Sequence, residues 1–583
     1  MDLPRACLAF LALVLLAGPA VAAPTRRLLQ TTLSGRVILF SADIKGQPSQ
    51  RLLAVQTPSG QRVHVQASAA QLHGVASGMQ VQVTGTWQQQ ARPTVAAAAA
   101  AAAAAPTSSS FVAASISASG AKFAAPQVTV AAAGPTIAAA KAAPTMVLSS
   151  NQLVTPDIST IFIPIAFKQA SGAACAGTSL PKFSTAAVRK AVFAELNPAG
   201  PTVGGTFAKC SNQRSLLTQA NSRVAEVVSL PCSGTSNGVA WATNKCDFDD
   251  FNGWSDAADA ALAARGIDLS QYKYRVYLLP PTTTCAWVGL GYEGCDGSFA
   301  CRAWITGDFW TSPQPIAHEL GHNLYMAHAG AANADGSFDE YGDSTCVMGH
   351  CCDTRCPNTP HAWQMGWVSL QQLDGTSLKA GQTVTAVVAA QASLTAANTA
   401  TRSAGLRITP SWSAGAQPIF VGYRTRAAGS GDATLPADQA GKVHLYTSAI
   451  SNTYDPQPTD WKAQLAAGGS WSAAGLVVRV KAAGPTSATV TVCRRAGAET
   501  LASCQAGLDN DCNGRVGSAD AACATLLAKA AAAAKAKAAA AAKAKAAAAA
   551  KAKAAAAAAA AAAAKAKAAA AAAAKAKASP APK

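Results

Sequence analysis

Aromatic residues make up only 6% of this 583-residue chain. Nowhere does it offer the roughly 20 strongly apolar residues in a row that a membrane-spanning helix needs. Cysteine is missing from Ala23 to Ala174, so the first third of the chain has no thiol to bond or to cap a metal once a leader is removed. No Asn-x-Ser/Thr acceptor occurs, which excludes ordinary N-glycosylation. Charge is sparse as well. The formal net charge is +18, but twelve lysines lie between Lys529 and Lys583, leaving +6 for everything else. The basicity belongs to a tail, which speaks against a nucleic-acid-binding face on a folded domain. Half the residues are apolar only because alanine is so common.

The length exceeds what one hydrophobic core can serve, and three or four domains are expected. Residues 1–22 read as a secretory signal: Arg5, an apolar stretch from Leu8 to Ala17, and small residues at Ala20-Val21-Ala22. Secretion agrees with the cysteines that follow. Eleven lie from Cys175 to Cys356 and four from Cys493 to Cys523, a supply suited to disulfides in an oxidising compartment. The four at the C-terminus could pair among themselves. Fifteen is odd, so at least one thiol must stay free or pair outside the chain.

Residues 23–88 alternate in short β-type runs (Gly35–Phe40, Leu52–Val55, Arg62–Val65, Val81–Gly85) and predict a small all-β domain, plausibly a barrel. His64 and His73 lie there without partner ligands and read as structural. Residues 89–145, with the alanine run Ala96–Ala105, read as a linker without a core-forming pattern. Residues 146–375 predict an α/β domain. A strand covers Thr160–Phe167, with Pro164 suggesting an edge or bulge. Helices are expected over Ala186–Leu196 and Phe251–Arg265, followed by a buried strand at Tyr274–Pro280. Residues 376–493 carry only β-type runs and predict a β-sandwich-like C-terminal domain, with His444 structural.

One stretch carries the chemistry: His318-Glu319-Leu320-Gly321-His322-Asn323-Leu324-Tyr325-Met326-Ala327-His328. Four residues apart on a helix, His318 and His322 share a face and can hold one zinc ion, with Glu319 beside them to act on water. Ser312 before Pro313 is a good helix start, its hydroxyl able to cap. His328 lies ten residues beyond His318, about 15 Å along a continuous helix. It can be the third ligand only if the helix ends near Asn323–Tyr325 and the chain turns back. Similarity to metzincin-type proteases, where a glycine makes such a turn left-handed, implies that conformation for Tyr325, at a cost of roughly 1 kcal/mol or more, part of which Asn323 could absorb. Met348, in Ser344–His350, suits a methionine turn beneath the metal. Tyr341 is a possible hydrogen-bond donor to the oxyanion. His350 and His361 are the alternatives to His328.

From about residue 150 to 492 the chain resembles the gametolysin family of secreted metzincin-like zinc proteases of volvocine algae. The likeness rests on the zinc helix and on further stretches: Cys210–Asn212, Arg275–Pro280, Cys285–Gly291 with Gly294-Cys295, Glu340–Asp343, Pro360–Trp367, Tyr423-Arg424 and Lys442–Tyr446. It implies an endopeptidase acting on hydroxyproline-rich glycoproteins of extracellular matrix or cell wall. Tyr325 departs from the family, which has glycine there. The alternative reading is a weakened protease fold that serves as a wall-binding scaffold. Because there is no upstream cysteine to cap the zinc, the N-terminal β-domain and linker are expected to cover the cleft sterically and to be removed by cleavage.

Within residues 494–524, Asp509, Asp511, Asn513 and Asp520, with Gly514, have the spacing of an EF-hand-like calcium loop framed by cysteines. Residues 525–583 repeat alanine blocks separated by Lys-Ala-Lys and predict a helical, solubilising tail, or one that attaches to acidic wall polysaccharide.

Overall fold

The computed structural model describes residues 30–44, 47–72, 75–89, 109–119, 147–149, 157–282, 284–349 and 353–577. The predicted signal, His73, His350 and much of the predicted linker lie outside them. The chain divides into two compact units. One comprises residues 1–38 and 52–120, and the other residues 39–51 and 121–583.

In the smaller unit, β1 (Thr31–Ile44), β2 (Gln50–Gln56), β3 (Arg62–Gln66), β4 (Gln80–Gln89) and β5 (Ser109–Ser119) follow the order β2-β3-β5-β4-β1, and β1 pairs back to β2. Five strands thus close on themselves, so no edge is left unpaired. β5 corrects the reading of residues 89–145 as pure linker. It pairs with β4 from Gln80↔Ser119 to Gln89↔Ser109 and buries Phe111 completely. Its alternating serine and alanine residues disguise a strand as low complexity, because only Phe111, Val112 and Ile116 carry large apolar groups.

The larger unit is a mixed α/β body. β6 (Thr160–Phe167), α1 (Phe248–Ala264), β7 (Tyr274–Leu278), β8 (Trp287–Tyr292), β9 (Cys301–Ile305) and α2 (Pro313–Asn323) build its first half. The sheet order is β8-β9-β7-β6, antiparallel at β8–β9 and parallel beyond. Antiparallel to the free side of β8 runs the last part of β1, from Phe40↔Tyr292 to Ile44↔Trp287. β6 is buried along its whole length and flanked on both sides, so it is no edge strand. Pro164 falls where the neighbour changes from Arg223–Val224 to Val228–Leu230, and there a missing N–H costs little. α1 starts in a capping box between Asp247 and Asp250. Its Phe251 packs ring against ring with Phe40 and Trp304, which both also meet Tyr292.

The C-terminal β region does not stand apart from this half. Strands 370–373, 405–408, 419–424 and 442–447 join β10 (Ala329–Ala332) and β11 (Thr459–Leu465) in one eight-stranded sheet, with β10 parallel to β11. A four-stranded sheet (383–389, 487–494, 476–483, 470–473) shares its core: Leu406, Ile408, Val421 and Leu445 meet Val384, Val478, Val490 and Val492. The boundary expected at residue 375 is therefore crossed by a sheet. Disulfides join Cys175–Cys232, Cys210–Cys356, Cys246–Cys285, Cys295–Cys301, Cys493–Cys512 and Cys504–Cys523; Cys346 is a buried free thiol. α3 (Ala521–Lys577) is a long helix, exposed beyond its first turns, with lysines spread around it. Among the described residues no helix is long and apolar enough to cross a membrane.

Candidate metal centre

The centre is built on α2. Ser312 occupies its N-cap position but makes no side-chain cap bond. Pro315, at the third helical position, lacks the N–H that a capping hydroxyl would accept, so the proline at N1 starts the helix unaided. His318 and His322 project from the same face with ring centroids 4.9 Å apart. At the far end Asn323 stays helical and donates to Tyr292 O and Arg302 O, 3.0 and 3.1 Å away, which ties the helix to the sheet.

The helix stops in a Schellman turn. Met326 N donates to Gly321 O (3.0 Å) and Tyr325 N to His322 O (2.9 Å), with Tyr325 left-handed at φ 70°. The strain is offset by packing. Tyr325 is buried, its ring meets Tyr454 edge-on at 5.2 Å, and its carbonyl accepts from Gln364 Nε2 at 2.8 Å. Gly294 makes the room, since a Cβ there would lie 2.2 Å from the tyrosine ring. The turn brings His328 Nε2 to 3.1 Å from His322 Nε2, and Thr459 N at the head of β11 holds the carbonyl of His328 at 3.1 Å.

Each imidazole is fixed through its other nitrogen. Nδ1 of His318 lies 2.9 Å from Val347 O, Nδ1 of His322 lies 2.9 Å from Met326 O, and Nδ1 of His328 lies 2.9 Å from Glu340 Oε2. Donation from all three Nδ1 atoms leaves three Nε2 lone pairs aimed inward, as metal-binding histidines require. The fourth group is Asp43. Its Oδ2 is 2.9 Å from His318 Nε2, and its Oδ1 is 3.0 Å from His328 Nε2 and 3.9 Å from His322 Nε2.

These residues fit a zinc ion. Tetrahedral bonds of about 2.0–2.1 Å put neighbouring ligand atoms about 3.3 Å apart, close to the separations found. His318 Nε2 is buried and makes no hydrogen bond of proper geometry, although Asp43 is at hand, so the carboxylate is placed for a shared atom rather than a shared proton. Burial opposes charge on His328, yet Asp43 and Glu340 on its two nitrogens outweigh it and lift its pKa to about 9. Burial likewise works to raise Asp43, but His318 and His328 hold it well below the usual carboxylate range. The pocket attracts positive charge, and a metal ion competes with protons for such groups.

Glu319 is buried in a cradle on β8. A Cβ at Gly289 would lie 1.9 Å from its Oε1, and one at Gly291 would lie 2.9 Å from its Oε2. Burial, then the charge of Asp43, pushes its carboxyl well above the ordinary value. Tyr341 directs its hydroxyl to Asp43 Oδ1 (2.9 Å), with its ring 4.4 Å from that of His328. Met348 is fully buried beneath Gly321. A cleft of about 810 Å³ opens beside His322 and His328, lined also by Phe338, Glu340, Tyr341 and Pro458.

Other candidates lie elsewhere. His361 is buried against Cys346, its pKa lowered to about 3 by burial, and it stays outside the cluster. His444 bonds Gln439 O at 2.8 Å within the C-terminal sheet. In the cysteine-framed loop, Asp509 accepts from the backbone of Asn513 and Gly514, and Asn513 bridges Asp511 and Asp520. The grouping closest to a cation cage there joins Asp509 and Asp511 to Glu499.

Sequence reasoning missed Asp43 and assigned no role to Glu340 or to the pair Gly289/Gly291. The glycines had a legible signal: two in alternation in a strand mark one face where something approaches closely. Asp43, 275 residues before His318, had none.

The gametolysin peptidase M11 family matches residues 172–472. Autolysin of Chlamydomonas reinhardtii is 24% identical over 466 residues, covering 63% of this chain and 70% of that protein. No solved structure matches the chain.

Proposed function

The chain belongs to the gametolysin M11 peptidase family, and on that premise we propose that it is a secreted, metzincin-like zinc endopeptidase. One observation carries the reading: three imidazoles with anchored Nδ1 atoms converge beside the buried carboxyl of Glu319. In this reading His318, His322 and His328 hold the zinc. Zinc bound there supplies Lewis acidity to the scissile carbonyl and to the attacking water. Glu319 takes the proton of that water and delivers it to the leaving amine. Its glycine cradle fixes the side chain, so orientation need not be gained during the reaction. Tyr341 offers a hydroxyl to the developing oxyanion. Met348 closes the floor under the helix.

The substrates we infer are proteins of an extracellular matrix or cell wall, with hydroxyproline-rich glycoproteins as the specific class; the similarity to a protein named autolysin supports this choice. Calcium in the loop of Asp509, Asp511, Asn513 and Asp520, and attachment of the Lys/Ala tail to acidic polysaccharide, complete the proposal as accessory functions.

The test is hydrolysis of a wall glycoprotein that a chelator abolishes and added zinc restores. Glu319→Ala should keep stoichiometric zinc and lose about 10²–10⁴ in rate. Zinc-loaded protein that hydrolyses nothing, whether intact or with its N-terminal part cut away, would favour the wall-binding scaffold.

A further inference from the structure

Leu39–Arg51 belongs to the larger unit, and its described residues 39–44 and 47–51 form a strap, although the chain enters it from β1 and leaves it into β2. The strap is firmly built. Phe40 is fully buried and meets Tyr292 at 4.6 Å and Phe248 at 5.7 Å. The Leu39 carbonyl accepts from Glu293 N (2.8 Å), and Arg51 Nε donates to Glu293 Oε2 (2.8 Å). Ser49 Oγ donates to Glu340 Oε2 at 2.7 Å, the carboxylate that also holds His328 Nδ1. The register with β8 shifts just after Asp43↔Gly289, a bulge of the kind that re-aims a side chain. Opposite Asp43 the partner strand has no side chain, and the carboxylate reaches all three Nε2 atoms.

We propose that Asp43 is the fourth ligand of the metal centre, and that the strap keeps the peptidase latent by filling the position water and substrate must enter. The proposal rests on the zinc-peptidase reading and deepens it. A covering domain would only obstruct the cleft, whereas this carboxylate completes a closed His3Asp set. A catalytic zinc site instead keeps one position open, while a closed set of four protein ligands marks a structural one. Because the carboxylate is tethered, it competes with water at an effective concentration that no free carboxylate matches. Both ends of the strap continue into barrel strands, so loss of the barrel draws Asp43 out of the site.

The test uses the full chain loaded with Co2+ in place of zinc, whose visible bands report the donor set. Asp43→Asn and Asp43→Ala should shift the bands. With zinc they should raise peptide hydrolysis by the intact chain by about tenfold or more, the order of advantage expected of a tethered ligand. Wild-type chain cut between residues 90 and 108, and freed of the N-terminal fragment, should show the same shift and the same rate, without relying on how a variant folds. Identical bands in the intact wild type, the variants and the cut chain overturn the proposal. A cut chain that hydrolyses peptide with unshifted bands overturns it too. If the bands shift but no preparation hydrolyses peptide, the carboxylate ligand stands and the peptidase reading falls.

Discussion

Gly321 and Met348 meet without room for a single extra carbon: a Cβ on Gly321 would lie 2.4 Å from Met348 Sδ. The glycine inside the histidine helix therefore serves packing, not flexibility. Gly321→Ala gains up to about 1 kcal/mol of helix propensity. Against that stands overpacking of about 1–3 kcal/mol, because Met348 is fully buried where the new carbon would go. Overpacking wins, so the variant should melt lower than wild type and release zinc faster to a chelator.

Tyr325→Gly sets two effects against each other. Glycine relieves roughly 1–2 kcal/mol of left-handed strain. It also removes a buried ring packed on Gly294 and Tyr454, a loss of about 3–5 kcal/mol by analogy with aromatic-to-alanine changes. The variant should thus be less stable by about 2 kcal/mol, the difference between these terms. Chemical denaturation measures it; equal or higher stability would show that the ring's packing does not outweigh the left-handed strain.

Glu340→Gln should weaken zinc binding by about 10–100-fold, as loss of a carboxylate behind a ligating histidine does. Competition with a chelator of known affinity reads the change. Because Glu340 also holds Ser49, the same variant should loosen the strap, seen as faster proteolysis between Gln47 and Arg51.

Asp249, in the first turn of α1, has its pKa raised to about 6 by burial and then by Asp250 and Asp247. A raised carboxyl favours the native state when protonated. Its penalty is absent below the unfolded value of about 3.9, grows between there and about 6, and is complete above. Asp249→Asn should therefore raise the melting temperature above pH 6 and leave it unchanged below pH 4. A benefit confined to acid pH would contradict the assignment.

Much of the centre was legible because its chemistry is local. The four-residue spacing of His318 and His322 and the neighbouring Glu319 are properties of one helix turn. So was the need for a turn at Tyr325, since a helix rise alone carries His328 too far. The prolines at 313 and 315 were equally plain, although their effect on the Ser312 cap depends on which N–H is missing. Strand β5 was hidden because serine and alanine conceal alternation when few large side chains mark the inner face. The division at residue 375 failed for another reason: β10 lies before it and pairs with β11, which comes more than a hundred residues later, and sheet pairing leaves no trace in spacing.

The sequence by itself determined the shared face of His318 and His322 on α2, the clustering of the cysteines and the alanine-lysine tail, because each follows from neighbours along the chain. Only the tertiary structure decided what surrounds that face. Thr459 holds the turn of His328, Gly289 and Gly291 make space for Glu319, and Asp43 lies against all three imidazoles. Those contacts come from sheet register and from the absence of side chains, so they exist only once distant strands have paired.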